Sequence, residues 1–324
     1  MNLFGITMGD PCGIGAEVIL KAFKTKPEIM ENSIVFGSFE LLKFYNAKFE
    51  MEYNFNKIKS IQDFKSGNIN VFDPYPVRAD EITIGKVSAL GGKCAFLYVK
   101  SAIDFALEKK ITSVVTAPLN KEALHLAGYN YAGHTEIFAE FAHGDSYAML
   151  LWSDKLKAIH ASTHISLRNA CDNVSKQRTM DVIHLANETL KKTGYENPRI
   201  AVAGLNPHAG ENGLFGDEEI KEIIPGISAC QAEGINVSGP IAPDTVFLRA
   251  YKGEFDIVVA QYHDQGHIPL KLLAFDSGVN ITVGLDVIRT SVDHGTAFDI
   301  AGTMTAREDS ILKAIEIGKM LNEN

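Results

Sequence analysis

The chain is poor in the features that mark secreted, membrane-spanning or nucleic-acid-binding proteins. It has four cysteines, Cys12, Cys94, Cys171 and Cys230. They are scattered and form no C-x-x-C pair, which argues against a disulfide framework and for free thiols in a reducing compartment. No apolar run approaches the roughly 18 residues that a membrane span requires. There is no basic cluster, since 31 Lys and Arg stand against 40 Asp and Glu for a formal charge of −9. Such a chain is a poor partner for nucleic acid or an anionic membrane, although a few well-placed cations can still hold an anionic substrate. The N-terminal segment reaches Asp10-Pro11 too early for a secretory signal, and a cytoplasmic location is expected. No internal repeat, low-complexity tract or block of charge is present.

What is there reads as a folded α/β protein. Apolar residues make up 46% and charged residues 22%, far from a disordered composition. At roughly 150 residues per domain, the length favours two domains. Short β-branched runs at 4–7, 33–37, 113–116, 200–203, 256–260 and 279–283 read as strands, several apolar on both faces as in a helix-covered parallel sheet. Helical spacing appears at 15–23, 88–109 and 307–321. The segment 47–84 is the least regular and reads as a surface excursion or a poorly packed subsegment. The expected class is α/β with a largely parallel sheet.

Nearly every strand runs into a loop rich in Gly, Pro and reactive side chains. In open α/β sheets ligands bind beyond the carboxyl ends of the strands, so these loops are expected to face one cleft. Three of them carry a histidine: His164, His208 and His263. Three imidazoles suit zinc or a similar divalent ion and leave positions open for substrate. The plainer alternative is three separate hydrogen-bonded loop histidines, and spacings of 44 and 55 residues match no local metal motif. His125, His143, His160 and His184 read as structural or surface residues.

Gly133-His134-Thr135-Glu136 opens a helical run, where free backbone N–H groups, a hydroxyl and an imidazole suit a phosphate or carboxylate. The alternative is a simple cap with Thr135 as N-cap. Lys271 follows His263 by a couple of helical turns. Asn280 lies inside an apolar strand, where an amide needs a partner. Arg289, just past that strand, offers bidentate contacts to an oxyanion. For Lys271 and Arg289 the alternative is a solvated charge or surface ion pair. Gly9, Gly13 and Gly15 follow a strand and open a helix, but G-x-x-x-G-x-G is neither the Rossmann fingerprint nor a Walker loop.

These loops resemble the family of 4-hydroxythreonine-4-phosphate dehydrogenases along almost the whole chain. The resemblance rests on segments 7–15, 116–121, 133–136, 163–164, 204–211, 262–266 and 288–296, the last three blocks being long and specific. It implies a fold similar to isopropylmalate and isocitrate dehydrogenases, with two α/β domains and a cleft between them. On that pattern residues 1–130 and 240–324 would form a discontinuous domain with nucleotide-binding loops. Residues 131–239 would form a second domain contributing substrate, metal and dimer contacts.

The resemblance further implies a homodimer with an active site shared across the interface. A divalent ion (Zn, Mg, Co or Mn) would be held by His164, His208 and His263, the last coming from the partner subunit. His134, Thr135, Lys271, Asn280 and Arg289 would bind substrate, and NAD or NADP would bind without a Rossmann fingerprint. Asn206, Gly210, Glu211 and Asp293 are candidates for nucleotide contact, and Lys271 and Asp244 for catalysis. A branch of the family acts on D-threonate or D-erythronate 4-phosphate. The segments 212–216, 266–271 and 296–302 look more like that branch.

The reaction expected from the resemblance is NAD(P)-dependent oxidation and decarboxylation of a 4-phosphorylated 3-hydroxy acid. Two other readings remain open from the residues themselves. One is a metal-dependent lyase or aldolase acting on a phosphosugar, and the other is a non-catalytic phosphosugar-binding protein.

Overall fold

Twelve strands form among the described residues, 2–144, 146–274 and 278–322 of a computed structural model. In chain order they are β1 (Phe4–Thr7), β2 (Ser33–Phe36), β3 (Phe55–Ile58), β4 (Ile69–Phe72), β5 (Ser113–Thr116), β6 (Ala148–Trp152), β7 (Lys157–His160), β8 (Ile200–Ala203), β9 (Val237–Ile241), β10 (Ile257–Ala260), β11 (Val279–Val283) and β12 (Ile288–Val292). All residues of β1, β2, β5, β8 and β10 are buried. That explains why these strands read as continuous apolar runs rather than as alternating ones.

The chain divides into two units, Met1–Gly144 with Leu285–Asn322, and Asp145–Gly284. In the first, the order β3-β4-β2-β1-β5-β12 is parallel throughout. The helix Ala89–Leu107 packs on this sheet and buries Ala95, Tyr98, Val99, Ala102 and Ile103. The helix Asp309–Met320 covers β12 and β5 with Ile311, Ala314, Ile315 and Ile317. The segment 47–84 is no excursion, because it supplies β3 and β4. These strands escaped the sequence pattern because β3, Phe55-Asn56-Lys57-Ile58, is mostly half-exposed and polar at a sheet edge.

In the second unit the order is β11-β6-β7-β10-β8-β9. Here β7, β10, β8 and β9 run parallel, while β6 is antiparallel to both β7 and β11, so the unit's sheet is mixed. Leu151, Ala158, Ala201, Val246, Val258 and Leu270 meet in its core. The segment 240–284, assigned from sequence to the first domain, lies in this unit. The physical reason is that β10 pairs with β7 and β8, and β11 pairs with β6. Among the described residues no helix is long and apolar enough to cross a membrane.

Candidate active site

In the first unit, parallel strand pairing and one helix start gather a cationic group. Arg289, past β11, is the second residue of β12 and pairs in register with Val114 of β5. Its side chain is only 3% exposed. Nη1–H donates to Thr135 Oγ1 and Nη2–H to Thr116 Oγ1, both at 3.4 Å, and the guanidinium lies 5.6 Å from the Phe138 ring centroid. Burial lowers its pKa from 12.5 to about 10, against the opposing field of Glu136, so it stays charged at neutral pH.

The helix His134–Phe141 begins two residues earlier than expected, with Gly133 rather than Thr135 as N-cap. Gly133 makes no side-chain cap bond, and Thr135 turns its hydroxyl to Arg289 instead. Burial, and next Arg289, hold the His134 imidazolium well below its ordinary pKa. The ring is therefore neutral, and its buried Nε2 has no hydrogen-bond partner among the described residues. A buried guanidinium, a neutral imidazole and a hydroxyl at a helix N-terminus are the kinds of group that suit an oxyanion.

The second unit holds the histidines. The rings of His164 and His263 lie 5.7 Å apart. His263 Nδ1 meets Asp264 Oδ1 at 2.7 Å, a carboxylate–imidazole pairing of the kind that orients a metal-ligating ring. Behind His263 stands a stack that the sequence reading missed. The His267 ring is 3.6 Å from His263 at an interplanar angle of 11°, and His160 follows at 4.7 Å from His267. His267 Nδ1 donates to His263 O, and His160 Nδ1 donates to Met149 O. Burial first, then neighbouring imidazoles, push His160 to about 3 and His267 to about 4, so both are neutral. The i, i+4 spacing of His263 and His267 on one helix was the available signal.

His208 sits in an unusual loop. Residues 208–212 are all left-handed, with φ of 54°, 54°, 80°, 43° and 56°. Only one of the five is glycine, and each of the others costs roughly 1–2 kcal/mol in this conformation. The buried Glu219 holds the loop, accepting the Asn206 backbone N–H at 2.8 Å and its amide Nδ2 at 2.9 Å, while Glu218 takes Nδ2 at 2.7 Å. Charge-assisted bonds of roughly 1.5–3 kcal/mol each can offset that strain. A β-carbon on Gly210 would come 2.8 Å from Glu219 Oε2. Of the nucleotide candidates, Asn206 thus commits its amide nitrogen to the loop, Gly210 is buried in it and Glu211 is exposed.

The other candidates stand as follows. Lys271 is half-buried and close enough to His267 to depress its pKa. Asn280 lies in β11 opposite Leu151, and its buried Oδ1 has no hydrogen-bond partner among the described residues. Asp244 lines a hollow of about 310 Å³ with Phe247, Tyr262, Asp264 and Gln265. Asp293 follows β12 in the first unit, its backbone N–H donating to Ser310 Oγ. The glycine-rich turn after β1 is a packing device, since a β-carbon on Gly15 would lie 1.9 Å from Met8 O. Within one chain, among the described residues, no group of three His, Cys, Asp or Glu side chains is arranged to hold a metal.

Residues 29–318 match the family profile described as pyridoxal phosphate biosynthetic protein PdxA. The chain is 51% identical over 319 residues to the D-threonate 4-phosphate dehydrogenase of Salmonella typhimurium, with 98% of each chain covered. Its structure is similar to a 4-hydroxythreonine-4-phosphate dehydrogenase from Klebsiella pneumoniae, with a TM-score of 0.87, 46% identity and 100% of both chains covered. A terephthalate 1,2-cis-dihydrodiol dehydrogenase from Burkholderia xenovorans LB400 is a more distant neighbour, with a TM-score of 0.72, 28% identity, and 98% of this chain and 97% of that one covered. The fold is of the isocitrate and isopropylmalate dehydrogenase type.

Proposed function

Because this chain belongs to the PdxA family, we propose that it is a nicotinamide-dependent dehydrogenase of a small 4-phosphorylated 3-hydroxy acid, D-threonate 4-phosphate before 4-phosphohydroxy-L-threonine. The observation that carries this reading is the buried Arg289 guanidinium set beside Thr135 and the neutral His134 at a helix start. It is a site for the phosphate or carboxylate of such a substrate. The name of the 51% identical relative favours D-threonate 4-phosphate.

In this reading Arg289, His134 and Thr135 hold the oxyanion, and Lys271 and Asn280 orient the rest of the substrate. His164, His208 and His263 would hold a divalent ion (Zn, Mg, Co or Mn). The chemistry of the donors fits, since His263 is backed by Asp264 and faces His164, and the stacked His267 and His160 add no positive charge behind it. A bound divalent ion supplies Lewis acidity that lowers the pKa of the substrate hydroxyl and stabilises negative charge.

A homodimer, with one of the three imidazoles coming from a second copy, completes the set. Exposed apolar side chains flank all three histidines: Ile165 and Leu167 after His164, Leu214 and Phe215 after His208, and Ile268 and Leu272 on the helix of His263. Such side chains are surface for a second copy to cover.

Lys271 takes the C3 hydroxyl proton, with Asp244 as the alternative carrier; bound NAD or NADP would supply the hydride acceptor. The resulting β-keto acid loses CO₂, and Lys271 returns a proton to the carbon left behind. Asn206, Gly210, Glu211 and Asp293 are the residues proposed for nucleotide contact.

The test is absorbance at 340 nm with D-threonate 4-phosphate, D-erythronate 4-phosphate and 4-phosphohydroxy-L-threonine, each with NAD and NADP, alongside measurement of CO₂. A rise in absorbance with matching CO₂ is expected for the D-threonate compound. Cleavage of a phosphosugar with no reduced nucleotide would replace this reading with a lyase.

A further inference from the structure

The second unit carries a hollow at the opposite ends of its parallel strands from the histidine loops. Lys157 opens β7, Arg199 precedes β8 and Asp256 precedes β10, and all three line a cavity of about 490 Å³. The ionisable side chains around it are Lys155, Lys157, Arg199, Asp154 and Asp256, apart from tyrosines. Three cations against two carboxylates make the hollow locally positive on a chain whose formal charge is −9.

Lys157 is the unusual member. It is 8% exposed, and its ammonium has three donors but one hydrogen-bond partner among the described residues, the neutral Tyr195 hydroxyl at 3.1 Å. Its other support comes from ring faces, with Nζ 4.6 Å from the Trp152 centroid and 5.3 Å from that of Tyr195. No carboxylate among the described residues lies within ion-pair distance of it. Asp256, which feels the Lys157 charge, is engaged by Arg199 through Nε at 3.1 Å, Nη2 at 2.7 Å and the backbone N–H at 2.8 Å. Burial would raise the Asp256 pKa, but those bonds outweigh it and keep the carboxylate ionised. A buried cation with a neutral partner is costly unless a counter-ion completes it.

We propose that this hollow is a second binding site, which takes a small oxyanion, phosphate or carboxylate, on the Lys157 ammonium. Tyr195 positions the ammonium, Arg199 keeps Asp256 from neutralising it, and Lys155 adds positive field at the mouth. The site is separate in sequence from the Arg289 group, lies in the other unit, and does not depend on the catalytic reading.

Calorimetric titration of the full-length protein with inorganic phosphate tests it, using wild type, Lys157→Met and Arg289→Met. Wild type is expected to take up two phosphates per chain and each variant one. Loss of only the phosphate that depends on Arg289, with Lys157→Met binding as wild type does, overturns the proposal. Absence of only the Arg289-dependent phosphate counts against the catalytic reading and leaves this one standing.

Should Lys157→Met fail to fold, Arg199→Gln serves, because it frees Asp256 to compete for Lys157. It should weaken the second phosphate at least fivefold, and an unchanged affinity overturns the proposal. Succinate titrated in the same way separates a carboxylate ligand from a phosphate one. If neither anion binds in a Lys157-dependent way, the site does not exist.

Discussion

Glu219 grips Asn206 by both of its nitrogen donors, the backbone N–H at 2.8 Å and the side-chain amide at 2.9 Å. Through that grip a carboxylate that is 1% exposed fixes the left-handed run bearing His208. Glu219→Ala should leave buried donors without acceptors and cost about 1–3 kcal/mol in stability. Gly210→Ala should be comparably harmful, since its φ of 80° is poorly tolerated by alanine and its β-carbon would meet Glu219 Oε2. Thermal melts measure both. Wild-type stability in Glu219→Ala would show that the loop holds itself.

The fork of Arg289 reaches Thr116 and Thr135 together, which an ammonium cannot do. Arg289→Lys should therefore lower kcat/KM about 10- to 100-fold, mainly through KM, the cost of losing one bidentate contact. Thr116→Val should raise KM less, and Thr116→Ser should restore it. Steady-state kinetics with the phosphorylated substrate decide the matter.

If Lys271 carries the substrate proton, Lys271→Met should lower kcat by about 10²–10⁴-fold while substrate still binds. Asp244→Asn under the same assay tells the two candidates apart. A Lys271→Met enzyme with normal kcat assigns the proton transfer elsewhere.

Metal content offers a separate check on the histidines. Alanine at His164, His208 or His263 should each abolish retention of a divalent ion, read by elemental analysis of purified protein. Prolonged dialysis against a chelator should silence the wild type, and added metal should restore it. Mixing His164→Ala with His263→Ala protein should recover part of the activity if these two ligands of a site come from different copies. No recovery, with both variants folded and dimeric, would show that His164 and His263 serve each site from the same copy.

Asp10 gives a pH signature. Its carboxyl is fully buried, and burial raises its pKa from 3.8 to about 6, against the bonds from Cys12. A raised carboxyl pKa means that the folded protein keeps a proton that the unfolded chain releases. Its contribution is present below pH 4 and is lost as pH climbs to about 6, by at most about 3 kcal/mol. Asp10→Asn should remove that loss. The variant's melting temperature should therefore gain on wild type between pH 4 and pH 7, and parallel curves would show that Asp10 does not titrate there.

Much of the frame was legible along the chain. The strands at 4–7, 113–116 and 200–203 fall where the continuous apolar runs put them. Parallel strands covered on both sides leave no alternation to confuse the reading. The edge strand β3 was not legible, because half-exposed edges carry no such run. Nor was β12, whose Arg289 and Ser291 look like loop chemistry until pairing with β5 buries them. Thr116 read as an ordinary strand residue, and nothing near Glu219 in sequence shows that it reaches Asn206.

By itself the sequence determined which residue types stand after which strands: an imidazole after β7, β8 and β10, and a hydroxyl and an imidazole before a helix. That information is local, carried by periodicity and by glycine and proline punctuation. Only the tertiary structure decided that Arg289 is buried against Thr116 and Thr135, that His134, His160 and His267 are neutral, and that Glu219 clamps the His208 loop. Charge state and partnership depend on burial and on groups distant in sequence. Both are set when strands far apart along the chain pair and exclude water.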